Sequence, residues 1–175
     1  MKGLAHRPRS VYAHRMIDEI LGLPAHPLIV HAAVVFGPLL AGAVIAYALV
    51  PMFRKYIAWA VLGLAVVGPA ALWLARLSGA AFLDKQAKAG AGPEFMAQLS
   101  EHQSFGENAS LAGTALGVLA ILLVLVVTAA GRRPSSTGSQ VLTYGIAALG
   151  IIAAGFTLYY VIRAGHTGAT NVWGV

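Results

Sequence analysis

Four stretches, each of about 20 residues and together carrying Arg76 as their only Lys, Arg, Asp or Glu, occupy most of the sequence. They run Leu28–Val50, Ile57–Leu77, Leu111–Ala130 and Val141–Ile162. At roughly 1.5 Å per residue, each is long enough to cross a hydrocarbon layer of roughly 30 Å. A backbone inside lipid finds no water to bond with, so a segment crossing it must satisfy its own N–H and C=O groups as a helix. The spacing therefore predicts an all-α integral membrane four-helix bundle, with helices over about 27–50, 56–77, 107–130 and 140–163. Composition agrees: 10% of residues are charged and 58% hydrophobic, against roughly 25% charged in soluble domains.

The chain has no cysteine, which excludes disulfides, iron–sulfur clusters, thiolate zinc sites and covalently attached c-type haem. Its formal charge of +6 could suggest nucleic acid. The Lys and Arg residues are instead divided between the N-terminal tail and the helix-flanking loops, as membrane topology and anionic lipid require. No basic face with interleaved aromatics is present, so nucleic acid is not expected as a partner. The first 22 residues lack an apolar core of the kind a cleavable signal peptide needs.

The connections are uneven. Residues 1–22 form a basic tail ahead of the membrane domain at 23–175. From Ser10, a candidate N-cap, Ala13, Met16, Ile17, Ile20 and Leu21 fit an amphipathic helix lying on the membrane surface. Pro51–Tyr56 is a tight turn, and Gly131–Gln140 a short basic loop. Ser78–Ser110 is expected to be a long, partly helical loop, broken at Gly90, Gly92 and Pro93, with a short helix opening at Pro93. In that helix Phe95, Leu99, His102 and Gly106 share a stripe, which turns His102 toward apolar surroundings. Pro38 and Pro69 are expected to kink the first two helices, and the recurring Gly and Ala to let helices approach closely.

An up-and-down order of four helices brings the ends that carry chemistry to one side. His26 and His31 open helix 1, Arg76 and Ser78 close helix 2, His102 and Glu107 precede helix 3, and Arg163 and His166 close helix 4. All four histidines outside the tail thus converge on one end of the bundle. Each also has a structural alternative: His26 as a helix-start residue before Pro27, His31 and the others as hydrogen-bonded cores, Arg76 and Arg163 as snorkelling charges. His26 and His31 lie about 140° apart around a regular helix and would not chelate one ion as an i,i+4 pair does. Three chemistries fit the set. A b-type haem would use two of His31, His102 and His166 as axial ligands, with Arg76 and Arg163 near its carboxylates. A transition-metal ion would draw on His26, His31, His102, Glu107 and His166. The third reading is a cofactor-free accessory or assembly subunit whose histidines are structural. No nucleophile–base dyad or phosphate-cradling loop appears, so an enzyme acting alone is not expected.

At these residues the chain resembles a family of small bacterial membrane proteins, the domain of unknown function 2231. The resemblance rests on LPAHPLIVHAAVVFGPL (Leu23–Leu39), the Ser78–Gly79 pair, HQSFGE (His102–Glu107) and GHTGATNVW (Gly165–Trp173). Relatives are more acidic just after the Ser-Gly pair, where this chain reads AAFLD with Asp84 alone. The resemblance implies a multi-pass four-helix protein of the bacterial inner membrane and supplies no activity. The short loops carry Arg54, Lys55, Arg132 and Arg133 without acids, which favours their placement in the cytoplasm and the histidine end on the extracytoplasmic side. The expected partners are the lipid bilayer, other membrane or redox subunits, and further copies of the chain. The expected work is electron transfer or service in a membrane redox complex.

Overall fold

A computed structural model describes residues 19–20, 23–131 and 136–173. Four long helices account for nearly all of them: α1 (Ala25–Leu49), α2 (Arg54–Lys88), α3 (Pro93–Ala130) and α4 (Thr137–Trp173). A two-residue antiparallel ladder, Glu19–Ile20 with Leu23–Pro24, precedes α1. The surface helix expected from Ser10 lies outside the described residues except at Glu19–Ile20, which belong to the ladder instead of a helix. Helices α1 and α2 continue through Pro38 and Pro69.

The expected long loop between helices 2 and 3 is corrected by the structure. α2 runs on to Lys88 and α3 begins at Pro93, so the connection shrinks to residues 89–92. The extension SGAAFLDKQAK contains good helix formers and an Asp84–Lys88 ion pair at i,i+4. It ends where Gly90 takes a φ of +76°, with its N–H donating to the Ala87 carbonyl and that of Ala91 to the Gln86 carbonyl. That pair of bonds is a Schellman stop, which glycine alone adopts without a Cβ penalty. Pro93 then sits in the first turn of α3, where its missing N–H costs nothing. The other short turn is held by Arg54, which donates from Nε to the Tyr47 carbonyl (2.8 Å) and from Nη2 to the Ala48 carbonyl (2.9 Å) at the end of α1.

Around the bundle the order is α1, α2, α3, α4: α1 and α3 each pack on both α2 and α4, and α1 touches α3 across the diagonal. The core is made of small and medium side chains, with Leu40, Val44, Tyr47, Val61, Leu116 and Leu123 fully enclosed. A second cluster of Ala33, Leu72, Ala109 and Val161 sits separately from it. Only 28% to 33% of each candidate span is buried within the protein, while Trp59, Val66, Leu125 and Phe156 are among many large apolar side chains turned outward. In water such a surface would drive aggregation; in a bilayer it is the solvated face. Close contact compensates for the missing hydrophobic drive between helices. At Gly117 the α3 backbone lies so near α2 that an added Cβ would stand 2.6 Å from the Ala65 carbonyl oxygen.

Candidate functional site

The site is built where α2, α3 and α4 outrun their apolar stretches. His26, in the first turn of α1, hydrogen-bonds through Nδ1 to Ser78 Oγ on α2 at 2.9 Å. Ser78 is buried, and its own hydroxyl donates to the Ala75 carbonyl at 3.0 Å. With that hydrogen committed, the Ser78 oxygen accepts, so Nδ1 of His26 carries the proton. The same logic holds across the bundle. His102 on α3 meets Thr167 Oγ1 on α4 at 3.1 Å, and the Thr167 hydroxyl donates back to the Arg163 carbonyl at 3.0 Å. In the neutral form each imidazole then carries its lone pair on Nε2. The two ring planes are inclined at 76°, with centroids 6.0 Å apart, and Phe82 stacks on His26 at 6.2 Å.

Glycines permit this placement. A Cβ on Gly79 would stand 3.1 Å from Cε1 of His26, and one on Gly168 would stand 3.0 Å from Cε1 of His102. Each ring is thus laid against the helix that carries its hydroxyl partner.

A charged network lies alongside. Arg76 of α2 pairs with Glu107 of α3 at 3.6 Å while its guanidinium covers Trp73 at 4.7 Å. Gln103 donates from Nε2 to Glu107 at 3.4 Å. Arg163 covers the ring of Phe105 at 4.8 Å. Two buried polar atoms have no protein partner among the described residues, Gln103 Oε1 and Arg163 Nε.

Of the residues singled out by sequence, the structure brings His26 and His102 together and sets Arg76 against Glu107. His31 and His166 are not part of that group. Both are exposed, and His31 donates from Nδ1 to the Pro27 carbonyl of its own helix at 2.6 Å. Among the described residues no three His, Asp or Glu side chains come close enough to hold a metal ion by themselves. Sequence reasoning missed the roles of Ser78, Thr167 and the glycines after them. The signal was present as a hydroxyl–glycine pair near the end of each even-numbered helix.

A bundle of four long apolar helices, with most of its apolar surface turned outward, is a multi-pass membrane protein. The chain belongs to the DUF2231 family, whose description is that of a predicted membrane protein and whose match spans residues 22–175. No curated protein and no solved structure gives a significant match.

Proposed function

We propose that this protein holds one redox-active metal centre between His26 and His102 and carries single electrons in a membrane redox system. The observation that supports this reading is the matched fixing of both tautomers. Metal-binding histidines almost always donate their other ring N–H to an oxygen partner, which orients the ring and raises its basicity. Here both imidazoles place Nδ1 against a hydroxyl oxygen, which leaves the lone pair of the neutral ring on Nε2. Metal–nitrogen bonds of roughly 2.0–2.1 Å set the centroids of two imidazoles on one ion about 5–6.4 Å apart, depending on the angle at the metal. The observed 6.0 Å lies in that window.

Two imidazoles with no third ligand among the described residues suit an ion whose remaining ligands come from elsewhere, and b-type haem is the leading candidate. When bound, haem iron supplies a one-electron couple; Arg76 and Arg163 are the cations available to its carboxylates. A directly bound copper or iron ion is the other form of the same reading.

The test is an absorption spectrum and elemental analysis of protein purified in mild detergent. A Soret band that shifts on reduction identifies haem; a colourless protein with one transition metal per chain identifies the directly bound ion. His26→Ala and His102→Ala should each abolish the centre, while His31→Ala and His166→Ala leave it intact. A folded, colourless and metal-free protein would overturn the proposal and leave the pair as an interhelical polar tie.

A further inference from the structure

The two histidines are held by the same device twice, and the resemblance extends down the helices. A shift of 76 residues (102 less 26) carries His26 onto His102. It also carries every buried position described in α1 onto a buried position in α3: Ala33 to Ala109, Gly37 to Gly113, Leu40 to Leu116, Ala41 to Gly117, Val44 to Ala120 and Tyr47 to Leu123. Helical periodicity alone does not produce this. A frame slipped by one heptad in either direction matches four of those six.

For the other helices the shift is 89 residues (167 less 78), which carries Ser78–Gly79 onto Thr167–Gly168. Under it the buried Val61, Ala65, Gly68, Leu72 and Ser78 of α2 fall on the buried Gly150, Ala154, Thr157, Val161 and Thr167 of α4; Ala71 falls on the partly exposed Tyr160. The smaller core cluster is itself two such pairs, Ala33 with Ala109 and Leu72 with Val161. The packing obeys the same operation, since exchanging α1 with α3 and α2 with α4 maps each neighbouring pair of helices onto another neighbouring pair.

We infer that the chain is a tandem pair of one helical hairpin, α1–α2 and α3–α4, and that its histidine site lies on the quasi-twofold axis relating them. Equivalent helices point the same way, so the axis runs along the bundle, as in parallel rather than inverted membrane repeats. Resting on the metal-centre reading above, this makes His26 and His102 equivalent ligands. What binds between them then presents the same chemistry to both sides: a single ion, alone or at the middle of a flat macrocycle.

The test uses mirrored substitutions in the full chain. Ser78→Ala and Thr167→Ala each release one imidazole and should weaken metal retention by the same factor, about 10–100-fold on the usual scale for such supporting groups. The exchanged variant Ser78→Thr with Thr167→Ser should retain metal within about threefold of the parent, since either hydroxyl can then do the same work. Gly79→Ala and Gly168→Ala should lower the unfolding midpoint in detergent alike, because the added methyl meets the same ring atom at 3.1 and 3.0 Å. Mirrored partners whose retention differs by more than about tenfold, or whose midpoints shift on one side only, overturn the inference. If the parent protein binds no metal, the proposed function falls while the glycine pair still decides whether the two halves are equivalent.

Discussion

Replacing Gly117 by alanine should be among the most damaging one-carbon additions in the bundle. The added Cβ would stand 2.6 Å from the Ala65 carbonyl oxygen and 2.9 Å from Pro69 Cγ, whereas ordinary contact begins near 3.4 Å. Neither neighbour is the end of a flexible side chain, so α2 and α3 must part locally by about 0.8 Å (3.4 less 2.6). A gap of roughly 0.5–1 Å forfeits a quarter to a half of each dispersion contact across it. Overpacking of this kind costs about 1–3 kcal/mol, and the better helix propensity of alanine returns at most about 1 kcal/mol. The net expectation is a loss of about 1–2 kcal/mol, measured by titrating SDS into mixed micelles and following helicity. Gly155→Ala, where nothing lies within 4 Å, is the control and should be neutral or slightly stabilising. Gly113→Ala meets the tip of Leu72, which can rotate away, and should cost less than Gly117→Ala. A Gly117→Ala protein as stable as the parent would refute the close approach of α2 to α3.

Cysteines introduced at the exposed Ser100 and Ser136 of this cysteine-free chain should label from opposite sides of the membrane, with Ser100 reached by an impermeant reagent in intact cells; labelling of both from one side breaks the four-span topology. Trp73→Phe removes a 2.9 Å hydrogen bond from Nε1 to Thr114 Oγ1 between α2 and α3 and should cost about 0.6 kcal/mol, the average for such bonds in lipid; a loss above about 2 kcal/mol would mean the indole does more than this bond. Gly90→Ala forces a side chain into the left-handed region and should destabilise by about 1 kcal/mol or slightly more; an unchanged midpoint would remove the Schellman stop from the account of the α2–α3 turn.

The helices were legible in sequence because a membrane leaves one solution for an apolar, nearly charge-free run. Their ends were less so. Residues 78–88 are polar enough to read as loop and 93–107 read as a short separate helix, yet the single stop at Gly90 leaves both as continuations of the spans. Which of the histidines meet was less legible for a related reason. His31 lies inside an apolar run, where a polar side chain looks buried, but its direction around the helix turns it outward onto its own backbone carbonyl. His26 reads either as a helix start or as a ligand, and only the packing of α1 on α2 brings it to Ser78. The repeat is hard to see because its identities, apart from His26/His102, Gly37/Gly113 and Gly79/Gly168, are of common apolar residues (Ala33/Ala109, Leu40/Leu116, Ile45/Ile121, Leu49/Leu125, Ile57/Ile146, Ala58/Ala147, Ala65/Ala154, Ala75/Ala164 and Ala80/Ala169); burial, which a one-dimensional reading does not see, sets its register.

Where the two hairpins depart from one another, the departure is chemical. Gln103 and Glu107 on α3 correspond to Pro27 and His31 on α1, and Arg76 on α2 corresponds to Gly165 on α4. The Arg76–Glu107–Gln103 network therefore exists on the α2–α3 flank, while the matching α4–α1 flank offers an outward-turned His31 bonded to its own helix. A site of two equivalent imidazoles is in this way given one charged side. The ion pair itself is partly exposed, but Gln103 Oε1 on that same flank is buried and has no protein partner among the described residues. On the metal-centre reading, this flank is where a polar edge of the bound group, or a redox partner, meets the protein. Arg76→Gln should then change the reduction potential or the partner's rate of electron delivery, and lower metal content far less than His26→Ala or His102→Ala. The mirrored change, Gly165→Ala, should move neither. Loss of the metal itself in Arg76→Gln would place the charged network in the support of the imidazoles rather than at an entrance beside them.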